Sequence, residues 1–256
     1  MKLFKHAAAA GLVTIAVVSA GALTPGAAYA STVYTTHAGQ KIYMDCNFDR
    51  KLDSVCTLGA SVQLGGGTCG GTGRHCVPFV GQGVYGVNGK TLYRVGVVTQ
   101  VFKHYDISLI DMGLGSPQKS TISNVYPLTS ITEKIRISKR GVTTGYTSGY
   151  LPPQKLHPCG DKFVLKQRIG IFLQGGLNCW EGQLFSRPGD SGAGIVAESG
   201  PHTGSTVGIL TGGVDGKVAV SPISIVFGNV PAHPSRPQAA AQIALFSQRP
   251  CVSRLQ

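Results

Sequence analysis

The sequence Pro188-Gly189-Asp190-Ser191-Gly192-Ala193-Gly194 leads directly into the apolar residues 195–197. A serine flanked by glycines can occupy a tight turn whose backbone N–H groups point inward, beside the serine hydroxyl. Such a turn can hold a negatively charged oxygen next to a nucleophile. The same residues also suit an ordinary Gly-Asp-Ser-Gly turn, in which each residue only satisfies its backbone angles. Ser191 is therefore a candidate nucleophile that needs support from elsewhere in the chain.

A nucleophile of this kind requires a base. A serine hydroxyl is weakly nucleophilic at neutral pH, and the adjacent base that activates it is itself oriented by a third group. His75 is the candidate base, because a disulfide through Cys76 would hold its backbone in place. His104 is the rival. The other histidines beyond the N-terminal segment lie in stretches typical of solvated loops; they are His37, His157, His202 and His233.

Asp106 is the candidate third group, since it opens the otherwise apolar run Asp-Ile-Ser-Leu-Ile at residues 106–110. An aspartate in this place is often only a strand-end cap. A carboxylate that enters an apolar strand nevertheless needs a cationic or N–H partner. His75 would supply such a partner.

The composition favours short strands over helices. The chain has 256 residues, 42% hydrophobic and 13% charged, enough for one large domain or two packed halves. Its 36 glycines and 14 prolines argue against a helical bundle. Strand-like runs predict a sandwich or barrel; they are 55–64, 92–102, 107–110, 135–138, 163–173, 194–197, 206–210 and 217–220. Residues 112–133 are the predicted connection between two halves.

Two glycine-rich segments resemble nucleotide-binding loops only superficially. Residues 65–73 lack the Lys-Ser/Thr ending, and the segment that ends in Gly89-Lys90-Thr91 has Val84 where the first glycine is required. We interpret both segments as hairpin turns.

The N-terminal residues predict export. Lys2 and Lys5 precede an apolar stretch at residues 12–23, and Ala28-Tyr29-Ala30 has small residues at the positions that a signal peptidase reads. A membrane anchor is the alternative, but it needs about 20 apolar residues, and this stretch is shorter. No later segment approaches spanning length, so we expect a secreted or cell-surface protein without a membrane span.

The charge is strongly positive. The formal net charge is +12, from 23 Lys and Arg against 11 Asp and Glu. The basic residues are dispersed and only 7% of residues are aromatic, so we predict no nucleic-acid partner. The surplus favours anionic surfaces such as cell-surface polymers.

All seven cysteines follow the predicted signal peptide, where an oxidising exterior makes disulfides the default and leaves one cysteine over. A zinc site is the weaker alternative, because no Cys-x-x-Cys pair is present. Its ligands would be Cys69, His75 and Cys76. A calcium loop is weaker still, because Arg50 stands where the loop requires glycine. Its ligands would be Asp45, Asn47 and Asp49. We predict no metal.

The order His75, Asp106, Ser191 and the residues around each resemble the chymotrypsin-like serine proteases, especially the secreted bacterial streptogrisin and α-lytic group. The similar segments are Thr-Gly-Arg-His-Cys at 72–76, Asp-Ile-Ser-Leu-Ile at 106–110 and Gly-Asp-Ser-Gly-Ala-Gly at 189–194. Hydrolases of other folds place the same three residues in a different chain order. The resemblance covers roughly residues 38–230. The chain departs from the family's usual residues at Arg74, Ala193 and Thr211. None of these differences removes a catalytic atom.

The resemblance implies an all-β fold of two six-stranded antiparallel β-barrels, with the active site in the cleft between them. We expect a signal peptide at 1–30, an N-terminal barrel at 31–120, a C-terminal barrel at 121–230 and a Pro/Ala/Gln-rich tail at 231–256.

It also implies a catalytic set. Ser191 would be the nucleophile, His75 the general base and Asp106 the group that fixes the imidazole, while the N–H groups of Gly189 and Ser191 would form the oxyanion hole.

Further roles follow from similar positions. Residues 139–145, Lys-Arg-Gly-Val-Thr-Thr-Gly, resemble a stretch that carries a buried cation, so Lys139, or alternatively Arg140, is the expected ion-pair partner of Asp190. The segment that would pair with the substrate backbone is Thr211, Gly212 and Gly213. The expected disulfides are Cys56 with Cys76 and Cys159 with Cys179. Cys46, Cys69 and Cys251 would then supply one further bridge and one odd thiol.

The function predicted from these features is that of a secreted, monomeric serine endopeptidase. It would hydrolyse peptide bonds of polypeptide substrates through an acyl-enzyme intermediate and need no cofactor. Two alternatives remain open. One is a catalytically inactive, protease-like binding module, and the other is a secreted esterase with the same three residues.

Overall fold

The structure is a computed structural model that describes residues 33–44, 52, 54–64, 67–116, 118–125, 130–159 and 177–224. Several predictions concern residues outside these ranges: the signal peptide at 1–30, the strand at 163–173, the tail at 231–256, the candidate calcium ligands, Cys46, Cys251 and His233. Within the described ranges, no helix is long and apolar enough to cross a membrane.

The N-terminal half forms an antiparallel sheet that curls back on itself. The strands of this half are β1 (Tyr34–Thr36), β2 (Lys41–Met44), β3 (Ser54–Thr57), β4 (Ala60–Leu64), β5 (Gly67–Gly73), β6 (Gly83–Asn88), β7 (Thr91–Phe102), β8 (Ile107–Asp111) and β9 (Gln118–Ser120). Seven of them pair in the spatial order β3-β2-β6-β7-β8-β5-β4. The two edge strands, β3 and β4, are separated only by Leu58 and Gly59, so one continuous stretch of chain forms both edges. The short strands β1 and β9 pair in parallel.

The C-terminal half forms a closed barrel. Its strands are β10 (Ser130–Ile131), β11 (Ile135–Gly141), β12 (Gly145–Leu151), β13 (Gln154–Lys155), β14 (His157–Pro158), β15 (Asn178–Gln183), β16 (Gly194–Ala197), β17 (Thr206–Val214) and β18 (Lys217–Pro222). Six of them follow the order β12-β11-β16-β17-β18-β15, and a pairing of β12 with β15 at Tyr150 and Gln183 closes the ring. Strand β14 adds to β15 outside the ring.

Each half has its own apolar core, because alternate residues of its strands face inward. The first core includes Ile42, Leu58 and Ile110, and the second surrounds the fully buried Trp180. A third cluster joins the halves; its buried members are Ala60, Ile107, Leu109, Ile209 and Ile223. Two 3-10 turns, Lys103–Tyr105 and Met112–Leu114, flank β8. The halves therefore share an apolar interface.

The prediction of an all-β chain with two barrels is confirmed. Strand β16 has the predicted limits, and β11 continues three residues beyond the predicted end, to Gly141. The position of the boundary between the domains, between residues 120 and 121, stays a prediction.

The interpretation of residues 65–73 as a hairpin turn is wrong for Gly67–Gly73, which is strand β5 between β4 and β8. At Gly70 a neighbouring side chain leaves little room for a Cβ atom. A Cβ atom at Gly70 would lie 2.9 Å from Leu58 Cδ1. The second glycine-rich segment contains the predicted turn, at Gly89 and Lys90 between β6 and β7.

Candidate active site

Asp106 holds the histidine segment with both carboxylate oxygens. Its Oδ2 lies 2.6 Å from His75 Nδ1, and its Oδ1 accepts the His75 backbone N–H at 2.9 Å. Its backbone carbonyl accepts the Arg74 N–H at 2.8 Å. Asp106 is fully buried, and its φ of 48° is left-handed, a conformation that aspartate tolerates better than most residues. The residue therefore does more than cap strand β8.

The electrostatic surroundings of His75 favour a proton on the imidazole. Burial by itself would lower the pKa of His75, but the charge of Asp106 and its hydrogen bond outweigh burial and raise the pKa above 6.5. The nearby guanidinium of Arg74 opposes this rise. His104, the rival base, is exposed in the 3-10 turn before Asp106.

A disulfide joins Cys56 of β3 to Cys76, directly after the histidine. The ligand atoms of Cys56, His75 and Cys76 lie within 4.8 Å of one another, but both sulfurs belong to this disulfide, so they are not free thiolates. Cys69, the third ligand of the zinc alternative, is buried in β5. Burial, followed by the charge of Asp111, raises its pKa to about 12 and keeps the thiol neutral. A second disulfide joins Cys159 to Cys179.

The turn around Ser191 depends on glycine conformations. Gly189 and Gly192 have φ values of 97° and 86°, which residues with a Cβ rarely adopt. Asp190 N–H donates to the Arg187 carbonyl at 3.0 Å, and Ala193 N–H donates to the Asp190 carbonyl at 2.9 Å. Among the described residues, the N–H groups of Gly189 and Ser191 have no acceptor. They are therefore available to an external oxygen.

This turn packs against the segment that carries the histidine. A Cβ atom at Gly192 would lie 2.2 Å from Thr72 Oγ1 and 3.0 Å from the backbone nitrogen of Gly73. No hydrogen bond links the Ser191 hydroxyl to His75 among the described residues. Hydrogen bonds of this kind are often long without substrate and shorten in the reacting complex.

A buried ion pair lies beneath the turn. Lys139 Nζ lies 2.9 Å from Asp190 Oδ2, and both side chains are 0% exposed. Arg140, the alternative partner, is exposed and lies over the ring of Tyr146, 5.7 Å from its centroid. The structure therefore pairs Asp190 with Lys139.

The β11–β12 connection supplies more donors to Asp190. Its Oδ1 accepts the backbone N–H groups of Thr143 and Thr144 at 2.9 and 3.1 Å, and its Oδ2 accepts the Thr144 hydroxyl at 2.7 Å. Burial alone would raise the pKa of Asp190, but hydrogen bonds from Thr144, from Lys139 and from the Arg187 N–H, which lies 3.1 Å from Oδ2, hold it below 3.8. A Cβ atom at Gly141 would lie 2.3 Å from Asp190 Oδ1, so only glycine fits there.

The predicted substrate-pairing segment belongs to strand β17. Thr211 is buried, and its hydroxyl lies 2.8 Å from Ser221 Oγ. Pairing with β16 ends at Ile209, whereas Gly212 and Gly213 pair with β18 only. Their other edge has no strand partner in the described part of the chain.

Thr57 is a functional candidate that the sequence did not reveal. Its hydroxyl donates to the Gly189 carbonyl at 2.9 Å and accepts the Val142 N–H at 3.2 Å. Its backbone N–H donates to the Ser191 carbonyl at 2.9 Å. Thr57 thus connects the strand of the first disulfide to the peptide groups around Asp190.

Similarity to known proteins is found in the fold and not in the sequence. No protein-family model matches the sequence, and no curated protein shows significant similarity to it. Solved structures match with high probability. Thermobifida fusca Protease A has a TM-score of 0.54 at 18% identity, covering 76% of this chain and 95% of its own. Nocardiopsis protease has a TM-score of 0.53 at 19% identity, with the same coverage. A glutamic acid specific serine protease has a TM-score of 0.54 at 21% identity, covering 75% of this chain and 96% of its own.

The chain has the fold of the bacterial chymotrypsin-like serine proteases. The two barrels contribute different parts of the candidate site. Here the histidine segment comes from the first barrel and the serine turn from the second.

We expect Lys139→Met to lower the free energy of unfolding by about 3–5 kcal/mol, because the Asp190 carboxylate would remain buried without its cation. Arg140→Met is the matched control on the neighbouring, exposed position and should change it by less than about 0.5 kcal/mol. Urea denaturation of the three proteins measures both values. Equal effects of the two substitutions would contradict the assignment of Lys139.

We expect Thr57→Val to slow the reaction of Ser191 with a fluorophosphonate about 10- to 100-fold, because the Gly189 peptide would lose its anchor while the shape of the side chain is kept. Thr57→Ser retains the hydroxyl and should react within about threefold of the wild type. The melting temperatures of both variants are measured alongside. If valine and serine slow labelling equally, the hydroxyl has no positioning role.

Proposed function

We propose that the protein is a secreted serine endopeptidase in which Ser191, His75 and Asp106 form the catalytic set. The observation that carries the proposal is the short contact between Asp106 and His75, next to a serine turn with two unused N–H groups. The chymotrypsin-like fold supports the same reaction class. The two disulfides fit an oxidising compartment and support secretion.

The proposed reaction begins when His75 takes the proton of the Ser191 hydroxyl as its oxygen attacks a peptide carbonyl. The Nδ1–H of His75 donates its hydrogen bond to Asp106, so Nε2 is the nitrogen that exchanges the proton. The carbonyl oxygen becomes negatively charged and is bound by the N–H groups of Gly189 and Ser191. His75 then protonates the leaving amine, and water hydrolyses the acyl-enzyme by the reverse sequence of proton transfers.

The free edge at Gly212 and Gly213 favours a peptide over a simple ester as substrate. An extended peptide can add to an exposed strand edge through main-chain hydrogen bonds, which a small ester lacks. Comparing ester and peptide substrates with the same acyl group separates the two activities. The predicted affinity for anionic surfaces and the predicted monomeric state stay predictions.

We expect a fluorophosphonate to add once to the wild-type protein and not to Ser191→Ala, as read from the intact mass. The reagent requires an activated nucleophile but no knowledge of the substrate. Ser148→Ala, at an exposed serine in β12, is the matched control and should label like the wild type. A folded wild-type protein that does not label would favour the inactive binding module.

We expect the acid limb of kcat/KM to have its midpoint above pH 6.5, because only neutral His75 can accept the proton and Asp106 raises its pKa despite burial. Arg74→Gln removes a positive charge that disfavours the imidazolium, so it should move the limb to higher pH. Arg74→Lys keeps the charge and should leave the limb in place. A shift to lower pH in Arg74→Gln would contradict this account of the electrostatics.

A further inference from the structure

A small cavity lies beside Ser191, between two walls. One wall is the strand β17 with Leu210, Gly212 and Gly213, and the other is the segment of Ser186 and Pro188 that precedes the nucleophile. Its volume is about 10 Å³, which is room for about one water molecule. The cavity borders both Ser191 and the free strand edge. In a bound peptide it would therefore receive the side chain of the residue whose carbonyl is attacked.

Ser186 is the residue that makes the cavity small. A Cβ atom at Gly213 would lie 2.1 Å from Ser186 Oγ, so the hydroxyl packs directly against the glycine. The same Cβ atom would lie 3.1 Å from the Lys217 carbonyl oxygen and 3.2 Å from Val218 Cγ1. Leu210, which is 1% exposed, closes the inner side.

The wall that carries Ser186 is anchored on both sides. Leu184 N–H donates to the Gly216 carbonyl at 2.9 Å, which ties the wall to the β17–β18 turn. The Phe185 carbonyl accepts the Thr147 hydroxyl at 3.0 Å, which ties it to β12. Moving Ser186 away from Gly213 would break these bonds, so the cavity does not widen freely.

Among the described residues that line the cavity, Arg187 is the only charged one. Its guanidinium lies over the ring of Phe185, 5.4 Å from the centroid, and both residues are exposed, so the charge is directed away from the cavity. Phe185 is 52% exposed and is not among the described residues that line the cavity. Size therefore decides what enters.

We propose that Ser186 restricts cleavage to peptide bonds that follow glycine, alanine or serine. The proposal rests on the proposed function and names its substrate class. A hydrogen, methyl or hydroxymethyl group occupies no more than the space of the one water. Each additional methylene must displace a packed wall, and discrimination in pockets of this kind is about 10- to 200-fold per methylene.

The test is kcat/KM for peptides that differ only in the residue before the scissile bond: glycine, alanine, serine, valine, leucine, phenylalanine, glutamate and lysine. For the wild type we expect kcat/KM of the alanine peptide to exceed that of the leucine and phenylalanine peptides by about 100-fold or more. Ser186→Gly enlarges the cavity and should raise kcat/KM of the leucine peptide, relative to that of the alanine peptide, by about tenfold or more. Ser186→Thr adds a methyl group to the wall and should lower kcat/KM of the alanine peptide relative to that of the glycine peptide.

Fluorophosphonate labelling of each protein distinguishes a failure of the size restriction from a failure of the proposed function. A wild type that labels and cleaves equally well after leucine, phenylalanine or a charged residue overturns the size restriction and leaves the proposed function standing. A folded wild type that neither labels nor cleaves overturns the proposed function, and this inference with it. If a Ser186 variant does not fold, the wild-type profile alone decides.

Discussion

The ion pair between Lys139 and Asp190 is the constraint on which the candidate site depends. Removing two charges from water costs several kcal/mol for each, so the pair is tolerable only if further hydrogen bonds satisfy it. The connection between β11 and β12 supplies them, through two backbone N–H groups and the Thr144 hydroxyl. The Thr144 hydroxyl also accepts from Lys139 at 2.6 Å. Asp190 is therefore held in one position, and the peptide groups on either side of it are those of Gly189 and Ser191.

The second constraint is the close contact between the barrels. A Cβ atom at Gly194 would lie 2.0 Å from the Gly59 carbonyl, so the backbone of the first barrel touches the strand that follows the nucleophile. Thr57 adds its hydroxyl and N–H to this contact. The disulfide from the neighbouring Cys56 fixes the segment of His75. The geometry of histidine and serine thus depends on the docking of the two halves and is not a property of either half.

Local signals in the sequence explain which features could be predicted. Strand β16 is an apolar run after a glycine turn, and its limits follow from that pattern. The ion-pair partner of Asp190 could be predicted because the seven residues 139–145 resemble the family's stretch in the order of their charged and glycine positions. Lys139 itself ends the apolar pattern of β11, so periodicity alone stops the strand too early.

Contacts between distant residues explain what was missed. Strand β5 contains Gly70 and Gly73, where a Cβ atom would lie 2.9 Å from Leu58 Cδ1 and from His75 Cε1 respectively, closer than Cβ atoms normally approach. In β12, a Cβ atom at Gly149 would lie 1.7 Å from the Gln183 carbonyl, where the barrel closes, so a glycine there marks a close approach and not a turn. Thr57 bonds to residues 85 and 132 positions away. No local sequence pattern predicts hydrogen bonds between residues this far apart in the chain.

The most direct test of the proposed catalysis is a crystal structure of the protein after reaction with a fluorophosphonate. The phosphorus should be bonded to Ser191 Oγ, with one free oxygen about 2.7–3.1 Å from the N–H groups of Gly189 and Ser191. His75 should remain bonded to Asp106 and turn Nε2 towards the adduct. Phosphorus on another residue, or a phosphonyl oxygen directed into solvent with both N–H groups unused, would contradict the account.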